Sequence, residues 1–282
     1  MQPDATSTNK TVAGVRYPQN PASLINLSKY PLSRLGSPEG ARLIAECHER
    51  LSTSGVCVLK EFILPAALDS MVAEARDAEP DAYFGRSSHN AYLQPSDKTL
   101  PAEHPRNFHL ESSAGSIACD RLGADSTLRG FYAWDPLVSF MGAVFGNQRI
   151  YRSADPLGAV SIDVFREGHR HAWHFDELEY TTSLMLQASE EGGLFEYVPN
   201  TRPNGNDTHE TLTRILRDEH NDVSRPATSP GDLLVFSGRR SIHRVTEVRG
   251  HTSRLAAVLC FSKRPNAVNS EEVRRLIWGR TQ

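Results

Sequence analysis

The chain has little of what marks secreted, membrane-embedded or disulfide-stabilised proteins. Its 282 residues include only four cysteines, and none of them forms a C-x-x-C pair, which favours buried reduced thiols over disulfides. No uncharged apolar run approaches the length of a membrane span, and residues 1–20 are polar, without the apolar core of a signal peptide. We therefore expect a cytoplasmic protein that does not insert into a membrane.

Long runs of one charge are also missing. The formal net charge is −3, from 31 basic and 34 acidic residues that are spread along the chain. Nucleic acids and anionic membranes are bound through concentrated basic surface. The one basic cluster near the motifs described below is Arg239 and Arg240 with Arg244. The composition therefore favours a small-molecule partner over nucleic acid.

The second half of the chain contains a series of short strands. Roughly seven or eight of them are separated by turn residues, with no long helices between them, which favours a double-sheet jelly roll over a parallel α/β fold. The fold class predicted is mainly β with flanking helices: a double-stranded β-helix, or cupin-like jelly roll, with an N-terminal helical elaboration. The predicted strands are 160–165, 173–176, 181–187, 194–198, 233–236, 241–245 and 255–261.

The first half is predicted to support this core. Ser37 and Gly55 are typical start and stop residues of a helix with apolar residues at three-to-four spacing, and a second amphipathic helix follows Pro65. Residues 80–110 are too rich in Pro, Asn and Ser for core strands, and we expect loops there. We predict a loosely ordered arm over 1–30 and one domain over 31–282. Its parts are helical support and substrate loops (31–148), the jelly-roll core (149–262) and a C-terminal helix or lid (263–282).

Two segments carry residues suited to metal chemistry. His174 and Asp176 are two apart in an extended run, so their side chains point to the same side, and His243 can supply a third ligand. Two imidazoles and a carboxylate that leave coordination positions open suit non-haem Fe(II) oxygen chemistry. An H-x-D triplet alone can arise by chance in a chain with 11 histidines and 34 acidic residues. The prediction of a metal site therefore depends largely on the second segment, from Gly231 to His243, and on Arg254 after it.

Arg254 follows His243 and begins an apolar strand. A guanidinium binds a carboxylate through two parallel hydrogen bonds, as a dicarboxylate co-substrate beside iron would require. The alternative is a surface arginine paired with Glu247 or solvent.

These segments, His174 to Asp176, Gly192 to Pro199, Gly231 to Phe236 and His243 to Arg254, resemble the Fe(II)/2-oxoglutarate-dependent oxygenases. The likeness covers residues 150–262, and the nearest branch is that of free-amino-acid hydroxylases and halogenases. It implies Fe(II) held by His174, Asp176 and His243, 2-oxoglutarate held by Arg254, and O₂ as the oxidant, with no further catalytic side chain. In the halogenases of this branch a small residue replaces the carboxylate and leaves room for chloride, so Asp176 implies hydroxylation.

The resemblance also implies substrate contacts from Arg106, His171 and Trp278, and Glu177 is a further candidate because it follows Asp176; each has a plainer alternative. Arg106 would hold the substrate carboxylate, unless it is a solvated surface arginine. His171 would contact substrate if a bulge near Gly168 turns it toward the ligands; otherwise it is a rim residue. Glu177 would accept a substrate amine or cap a turn, and Trp278 would close over the substrate or serve as a packing anchor.

Val258 and Cys260 lie on the same strand face as Arg254, together with Ala256, by the two-residue period of a strand. In the lysine-acting relatives, polar residues at such positions hold the substrate ammonium. An apolar wall therefore implies a substrate with an aliphatic or cyclic apolar side chain. Trp173, by contrast, is expected in the core of the second sheet.

The function predicted is hydroxylation of an unactivated C–H bond of a free amino acid or similar small zwitterion, with release of succinate and CO₂. Desaturation and ring closure remain alternatives, because they diverge only after hydrogen abstraction. A non-catalytic, cupin-like metal-binding module and an oxygenase of protein or nucleic acid are less favoured. Monomer and homodimer both stay open.

Overall fold

The computed structural model describes residues 20–146, 149–202, 209–219 and 222–282. Within them the chain forms thirteen β-strands and six α-helices. The helices are α1 (Pro38–Ser54), α2 (Pro65–Ala78), α3 (Thr127–Ala133), α4 (Asp135–Val144), α5 (His209–Leu216) and α6 (Glu271–Trp278). The strands are β1 (Val56–Leu59), β2 (Tyr83–His89), β3 (Leu110–Ile117), β4 (Tyr151–Arg152), β5 (Val160–Phe165), β6 (His171–His174), β7 (Tyr180–Gln187), β8 (Glu191–Gly192), β9 (Phe195–Val198), β10 (Leu233–Phe236), β11 (Ile242–Val245), β12 (Val248–Arg249) and β13 (Arg254–Ser262).

The strands form two principal antiparallel sheets. The major sheet has the order β1-β10-β7-β13-β5-β3-β2, and β4 pairs with β13. The minor sheet has the order β6-β11-β9, and β8 pairs with β12 as a short ribbon. The predicted mainly β jelly roll with flanking helices is confirmed. Strands β1, β2 and β3, which precede the predicted core in the chain, extend the major sheet at its two edges.

Helices α1 to α4 cover the outer face of the major sheet. The Ser37 hydroxyl accepts a hydrogen bond from the Gly40 amide and begins α1, while Gly55, in the left-handed conformation, ends it. Apolar residues of these helices and of the sheet share one large core, which includes Leu43, Met71, Phe131, Phe140, Ile162 and Leu184. The helices thus bury one face of the major sheet and leave its other face toward the minor sheet.

One expectation for the first half of the chain was wrong. Residues 83–89, within the range 80–110 that was expected to form loops, are strand β2, which pairs with β3 (Leu110–Ile117). β2 is an edge strand whose residues alternate in exposure. Because it does not have to bury apolar side chains on both of its faces, Ser and Gly can form it. Helix α3 was not expected either. Residues 1–19 of the predicted arm lie outside the described residues, whereas Leu24 and Ile25 are buried.

The described residues of the predicted insertion 200–228 pack against the minor sheet. Helix α5 buries Leu212, Ile215 and Leu216 against Trp173. These residues form a hydrophobic cluster separate from the main core, and Trp173 thus lies in the core of the second sheet, as expected. Positions 203–208 and 220–221 lie outside the described residues. In the part of the chain that the structure describes, no helix has the length and apolar character needed to cross a membrane.

Candidate metal centre

Neighbouring strands of the minor sheet carry the two histidines. His174 at the end of β6 is the direct cross-strand partner of His243 on β11, and the next pair is His171 with Val245. β6 therefore advances by three residues where β11 advances by two, which is a β-bulge. Asp176 lies just beyond β6, although the predicted strand ran through it. Its amide donates a hydrogen bond to the Gly238 carbonyl at 3.1 Å, which fixes the carboxylate beside the two rings.

The three side chains converge on one point. The Oδ1 atom of Asp176 lies 3.8 Å from Nε2 of His174 and 3.4 Å from Nε2 of His243. One nitrogen or oxygen from each residue lies within 4.8 Å of the other two. Two nitrogens and one carboxylate oxygen at these separations fit a single metal ion, and three protein ligands would leave further coordination positions open.

Hydrogen bonds from the other ring nitrogens orient both imidazoles. Nδ1 of His174 lies 2.8 Å from the Ala172 carbonyl, and Nδ1 of His243 lies 3.0 Å from the Ser241 carbonyl. A carbonyl only accepts, so each Nδ1 carries the proton and each Nε2 directs its lone pair toward Asp176. Burial and the neighbouring His243 lower the pKa of His174 to about 3, which keeps this imidazole neutral.

The Asp176 carboxylate is ionised and incompletely satisfied. Burial alone would raise its pKa, but His243 and His174 outweigh burial and lower the pKa to about 2. Its second oxygen, Oδ2, is buried and has no hydrogen-bond partner among the described residues. A buried anion without a donor is costly, and a cation beside it removes the cost. The residues present therefore fit a divalent metal.

Arg254 is buried, with 3% of its surface exposed, at the start of β13. Its guanidinium carbon lies 5.4 Å from the centre of the Phe165 ring, and its buried Nε has no hydrogen-bond acceptor among the described residues. Burial lowers its pKa to about 10, so the side chain stays charged at neutral pH. Glu247 pairs instead with Arg170 and Arg249, which removes the surface alternative. A buried fork without acceptors suits a carboxylate ligand.

A cavity of about 130 Å³ joins the three metal-site residues to Arg254. His171 lines it, because the bulge in β6 places its ring on the same side as His174, stacked at 3.9 Å between centroids. Burial, followed by the nearby His174, holds the pKa of His171 well below its usual range. Its ring makes no hydrogen bond with the described residues, so a neutral imidazole faces the cavity with both nitrogens available.

Helix α6 closes another side of the cavity. Trp278 is buried, contributes to the lining, and has an indole N–H without an acceptor in the described chain. Glu177 also lines the cavity, and its Oε2 accepts a hydrogen bond from the Ser270 amide at 2.7 Å. Asp155 accepts hydrogen bonds from Asn269 and from Arg274, which ties α6 to the segment that precedes β5.

The wall opposite the metal-site residues is the inner face of β13. Ala256, Val258 and Cys260 line the cavity together with Arg254, as the two-residue period predicted. Burial raises the pKa of the Cys260 thiol far above its usual range, so this side chain behaves as a small apolar group.

The structure places Arg106, the expected contact of the substrate carboxylate, outside the cavity lining. Its guanidinium lies 4.8 Å from the Tyr92 ring centre and donates to Gln94 at 3.3 Å. Asn107 holds the surrounding segment in turns through hydrogen bonds to Asp97 and Leu100, which directs Arg106 across Tyr92 rather than inward. Leu93, next to Tyr92, takes the place at the cavity wall.

Sequence reasoning missed one charged residue of the cavity, Asp163 on β5. Ser161 and Asp163 line the cavity, while Ile162 and Val164 are buried in the main core. The alternation of polar and apolar residues in Val160–Phe165 was visible in the sequence. The sequence did not specify the register between β5 and β13. This register pairs Asp163 with Ala256, which lies on the same face of β13 as Arg254.

Comparisons with known proteins agree with this architecture. The sequence model of the Halogenase D family matches residues 40–277. No curated protein matches the chain significantly. Among solved structures, the non-haem alpha-ketoglutarate-dependent epimerase SnoN from nogalamycin biosynthesis aligns with a TM-score of 0.58 and 13% identity, covering 79% of this chain and 81% of that one.

Two further structures share the fold. AviO1 from Streptomyces viridochromogenes Tue57 aligns with a TM-score of 0.56 and 15% identity, over 80% of this chain and 97% of that one. A prolyl hydroxylase from Trichoplax adhaerens, solved with a peptide of hypoxia inducible factor, aligns with a TM-score of 0.52 and 15% identity. The alignment covers 78% of this chain and 89% of that one. At these identities the likeness concerns the fold.

Proposed function

The chain belongs to the Halogenase D family, and from that membership and the site geometry we propose that it is an Fe(II)- and 2-oxoglutarate-dependent hydroxylase. Its substrate would be a free amino acid or similar small zwitterion, oxidised at an unactivated C–H bond. The observation that carries the proposal is the position of Asp176, whose Oδ1 faces Nε2 of both His174 and His243. A carboxylate occupies the place that a bound halide would need.

His174, Asp176 and His243 would hold the iron. When bound, Fe(II) with 2-oxoglutarate and O₂ supplies oxidation of an unactivated C–H bond, coupled to loss of CO₂ and formation of succinate. The chain's own part is orientation: the Nδ1 hydrogen bonds to Ala172 and Ser241 keep both imidazoles in the metal-binding tautomer.

Arg254 would bind the distal carboxylate of 2-oxoglutarate. Its burial would strengthen the charge-assisted hydrogen bonds by excluding water, and the ligand would supply the acceptor that Nε lacks among the described residues. Because β13 belongs to the major sheet and the three metal-site residues lie on or next to the minor sheet, the co-substrate would span the gap between the sheets.

The substrate would occupy the part of the cavity between β13 and α6. Val258 and Cys260 would offer an apolar wall for an aliphatic portion. Polar contacts for a zwitterion would come from Glu177, His171 and the N–H of Trp278, which has no acceptor among the described residues. A cavity of about 130 Å³ suits a small molecule rather than a folded macromolecule. Since Arg106 lies outside, the substrate carboxylate would depend on neutral donors such as Trp278.

An anaerobic titration of 2-oxoglutarate into the Fe(II)-loaded protein tests the cofactor pair. We expect a saturable visible metal-to-ligand charge-transfer band. Iron that stays bound without such a band would contradict the proposal and favour the cupin-like binding module.

A second experiment tests the reaction. The loaded protein is exposed to O₂ with a panel of free amino acids, with and without chloride, and the products are analysed by mass spectrometry. We expect succinate together with a product that has gained one oxygen atom in both buffers. A chlorinated product would contradict hydroxylation, and a product that has lost two hydrogens would indicate desaturation or ring closure.

A further inference from the structure

A second cavity, of about 410 Å³, opens at the surface beside the loop that joins β10 to β11. Four of its lining residues belong to this loop: Ser237, Arg239, Arg240 and Ser241. The C-terminal ends of α1 and α4 and the exposed side chain of Lys263, just after β13, also contribute. No described residue lines both this cavity and the one at the metal centre. It is therefore a separate cavity that the proposed reaction does not use.

The cavity contains two of the three arginines that form the basic cluster noted in the sequence. Arg244, the third, is already bound, because its guanidinium pairs with the buried carboxylate of Glu196 at 2.6 Å. Arg239 and Arg240 form no ion pair with any residue that the structure describes, and the same holds for Lys263. The lining thus has three cations without a counter-ion from the described chain.

Two of these cations are held in place by the protein. One guanidinium nitrogen of Arg239 donates a hydrogen bond to the Glu177 carbonyl, and its other N–H groups make no hydrogen bond with the described residues. Nζ of Lys263 lies 5.8 Å from the centre of the Tyr180 ring, and that ring stacks on Phe145 at 4.1 Å. The positions of both charges are therefore set before a ligand arrives, which lowers the entropic cost of binding one.

The other charged residues of the lining do not offset these cations. Glu179 is the only acid among the described lining residues, and its Oε1 lies 4.0 Å from Nε of Arg264. Arg202 adds a further positive charge, and its guanidinium lies over the rings of Tyr92 and Phe175. Like charges that line one cavity repel one another, and an anion between them removes this repulsion. The lining thus favours an anionic ligand.

We propose that this cavity binds a small organic molecule that carries a phosphate group. A phosphate monoester has a charge of about −1.5 to −2 at neutral pH and three acceptor oxygens, so it can contact two arginines and a lysine at once. A carboxylate has a single charge and would leave part of the repulsion in place. The site lies outside the metal centre and does not depend on the proposed hydroxylase function.

The size of the cavity argues for a ligand larger than inorganic phosphate. Its volume of about 410 Å³ lies within the range of small-molecule sites, about 300–1,000 Å³. Leu51 and Phe145 are half-buried apolar residues of the lining, while Ser52 and Asn200 are exposed and polar. The phosphate would lie against the cations, and the organic part against Leu51 and Phe145.

The test is calorimetry of four probes on the anaerobic full chain loaded with Fe(II) and 2-oxoglutarate, so that the metal centre is occupied. Adenosine monophosphate and ribose 5-phosphate carry the phosphate ester. Adenosine carries only the organic part, and succinate is a dianion without phosphorus. A comparison of the two esters shows how much a ring adds to the affinity.

The variants are Arg240→Ala and Lys263→Ala, which change exposed side chains of the lining. Arg239 is left unchanged because it also holds the backbone at position 177. Arg249→Ala is the matched control, since it removes the same charge from the exposed strand β12. Arg254→Ala reports whether a probe binds instead in the metal-centre cavity, and it does so whether or not 2-oxoglutarate binds there. Thermal melting of each variant establishes that it is folded.

We expect one molecule of each ester to bind per chain, and adenosine and succinate to bind at least about tenfold more weakly. Arg240→Ala and Lys263→Ala should each weaken binding of the esters at least about fivefold, because each removes a charge-assisted hydrogen bond. Arg249→Ala and Arg254→Ala should leave the affinity of the esters unchanged. Added salt should weaken the esters and not adenosine.

The proposal is overturned if neither ester binds with a dissociation constant below about 1 mM, or if succinate binds as tightly as the esters. It is also overturned if Arg240→Ala and Lys263→Ala bind the esters as tightly as Arg249→Ala does. Loss of ester binding in Arg254→Ala would place the phosphate in the metal-centre cavity and would equally overturn it. Failure of the visible band while the esters still bind would contradict the hydroxylase function and leave the phosphate site intact.

Discussion

Asp176 and Gly238 are so close that a Cβ atom at position 238 would lie 1.8 Å from Oδ2 of the carboxylate. The same Cβ would lie 3.0 Å from the His243 ring. Gly238 thus makes room for a metal-site side chain and also receives the hydrogen bond from the Asp176 amide through its carbonyl. The geometry of the metal site depends on the absence of a side chain in the loop between β10 and β11.

Gly238→Ala should displace the Asp176 carboxylate and lower Fe(II) affinity. Changes to residues that position metal ligands typically cost 10–100-fold in affinity, and we expect at least about tenfold here. Competition with a chromophoric chelator under anaerobic conditions measures the change. Gly36→Ala is the matched control, because a Cβ at position 36 would meet nothing within 4 Å. Equal affinity in the two variants would show that the carboxylate can move without loss.

Arg254→Ala should abolish most 2-oxoglutarate binding. Removing one partner of a buried charge pair costs about 2–5 kcal/mol, which corresponds to a dissociation constant raised at least about thirtyfold. Arg254→Lys should be intermediate, since it keeps the charge and loses the planar fork. The visible charge-transfer band measures each constant. The control is Arg249→Ala on the exposed strand β12, and an Arg254→Ala constant no higher than that of the control would remove the assignment.

Asp155→Ala should loosen helix α6. The buried carboxylate accepts hydrogen bonds from the backbone of Leu157, Gly158 and Asn269 and from Arg274. Its loss leaves the Arg274 side chain, which is 14% exposed, without its carboxylate partner. Breaking such a pair costs about 3 kcal/mol. We expect faster amide hydrogen exchange over 271–278 and a higher KM for substrate, with 2-oxoglutarate binding unchanged.

The matched control for α6 is Asp120→Ala. Asp120 pairs with Arg280 at 2.6 Å, but 42% of its side chain is exposed, so the pair should be worth at most about 1 kcal/mol. If exchange over 271–278 were equally slow in both variants, Asp155 would not hold the helix.

Glu196→Gln should lower the free energy of unfolding by about 2 kcal/mol. The Glu196 carboxylate is fully buried on β9 and binds Arg225 through one oxygen and Arg244 through the other, at 2.6 Å. Arg244 also stacks on Trp173, so the network joins all three strands of the minor sheet. Urea unfolding measures the loss. Glu191→Gln, from an exposed pair with Arg249, should change stability by no more than about 0.5 kcal/mol.

Much of the fold could be predicted because local rules and tertiary structure agree. Ser37 and Gly55 bound α1 as caps. The alternation of 160–165 and the continuous apolar run of 255–261 mark strands β5 and β13. Strands β2 and β3 were missed because Ser and Gly form them only when a cross-strand partner supplies the hydrogen bonds. That partner is distant in sequence, and no local pattern reports it.

The sequence likewise identified part of the candidate site. His174, Asp176, His243 and Arg254 were recognised from spacing and resemblance, and the structure brings all four to one cavity. Arg106 was placed by analogy, and the turns around Asn107 direct it elsewhere. Asp163 was overlooked because its inward orientation depends on the register between β5 and β13, which the sequence of either strand alone does not specify.

The bulge in β6 makes backbone register a determinant of chemistry. His171 and His174 share a side only because β6 has one residue more than β11 between their paired positions. In a regular strand of the same sequence, their three-residue spacing would place the two imidazoles on opposite faces, and the His171 ring would point away from the cavity. The number of imidazoles that face the cavity, three or two, therefore depends on whether the backbone forms this bulge, with every side chain chemically unchanged.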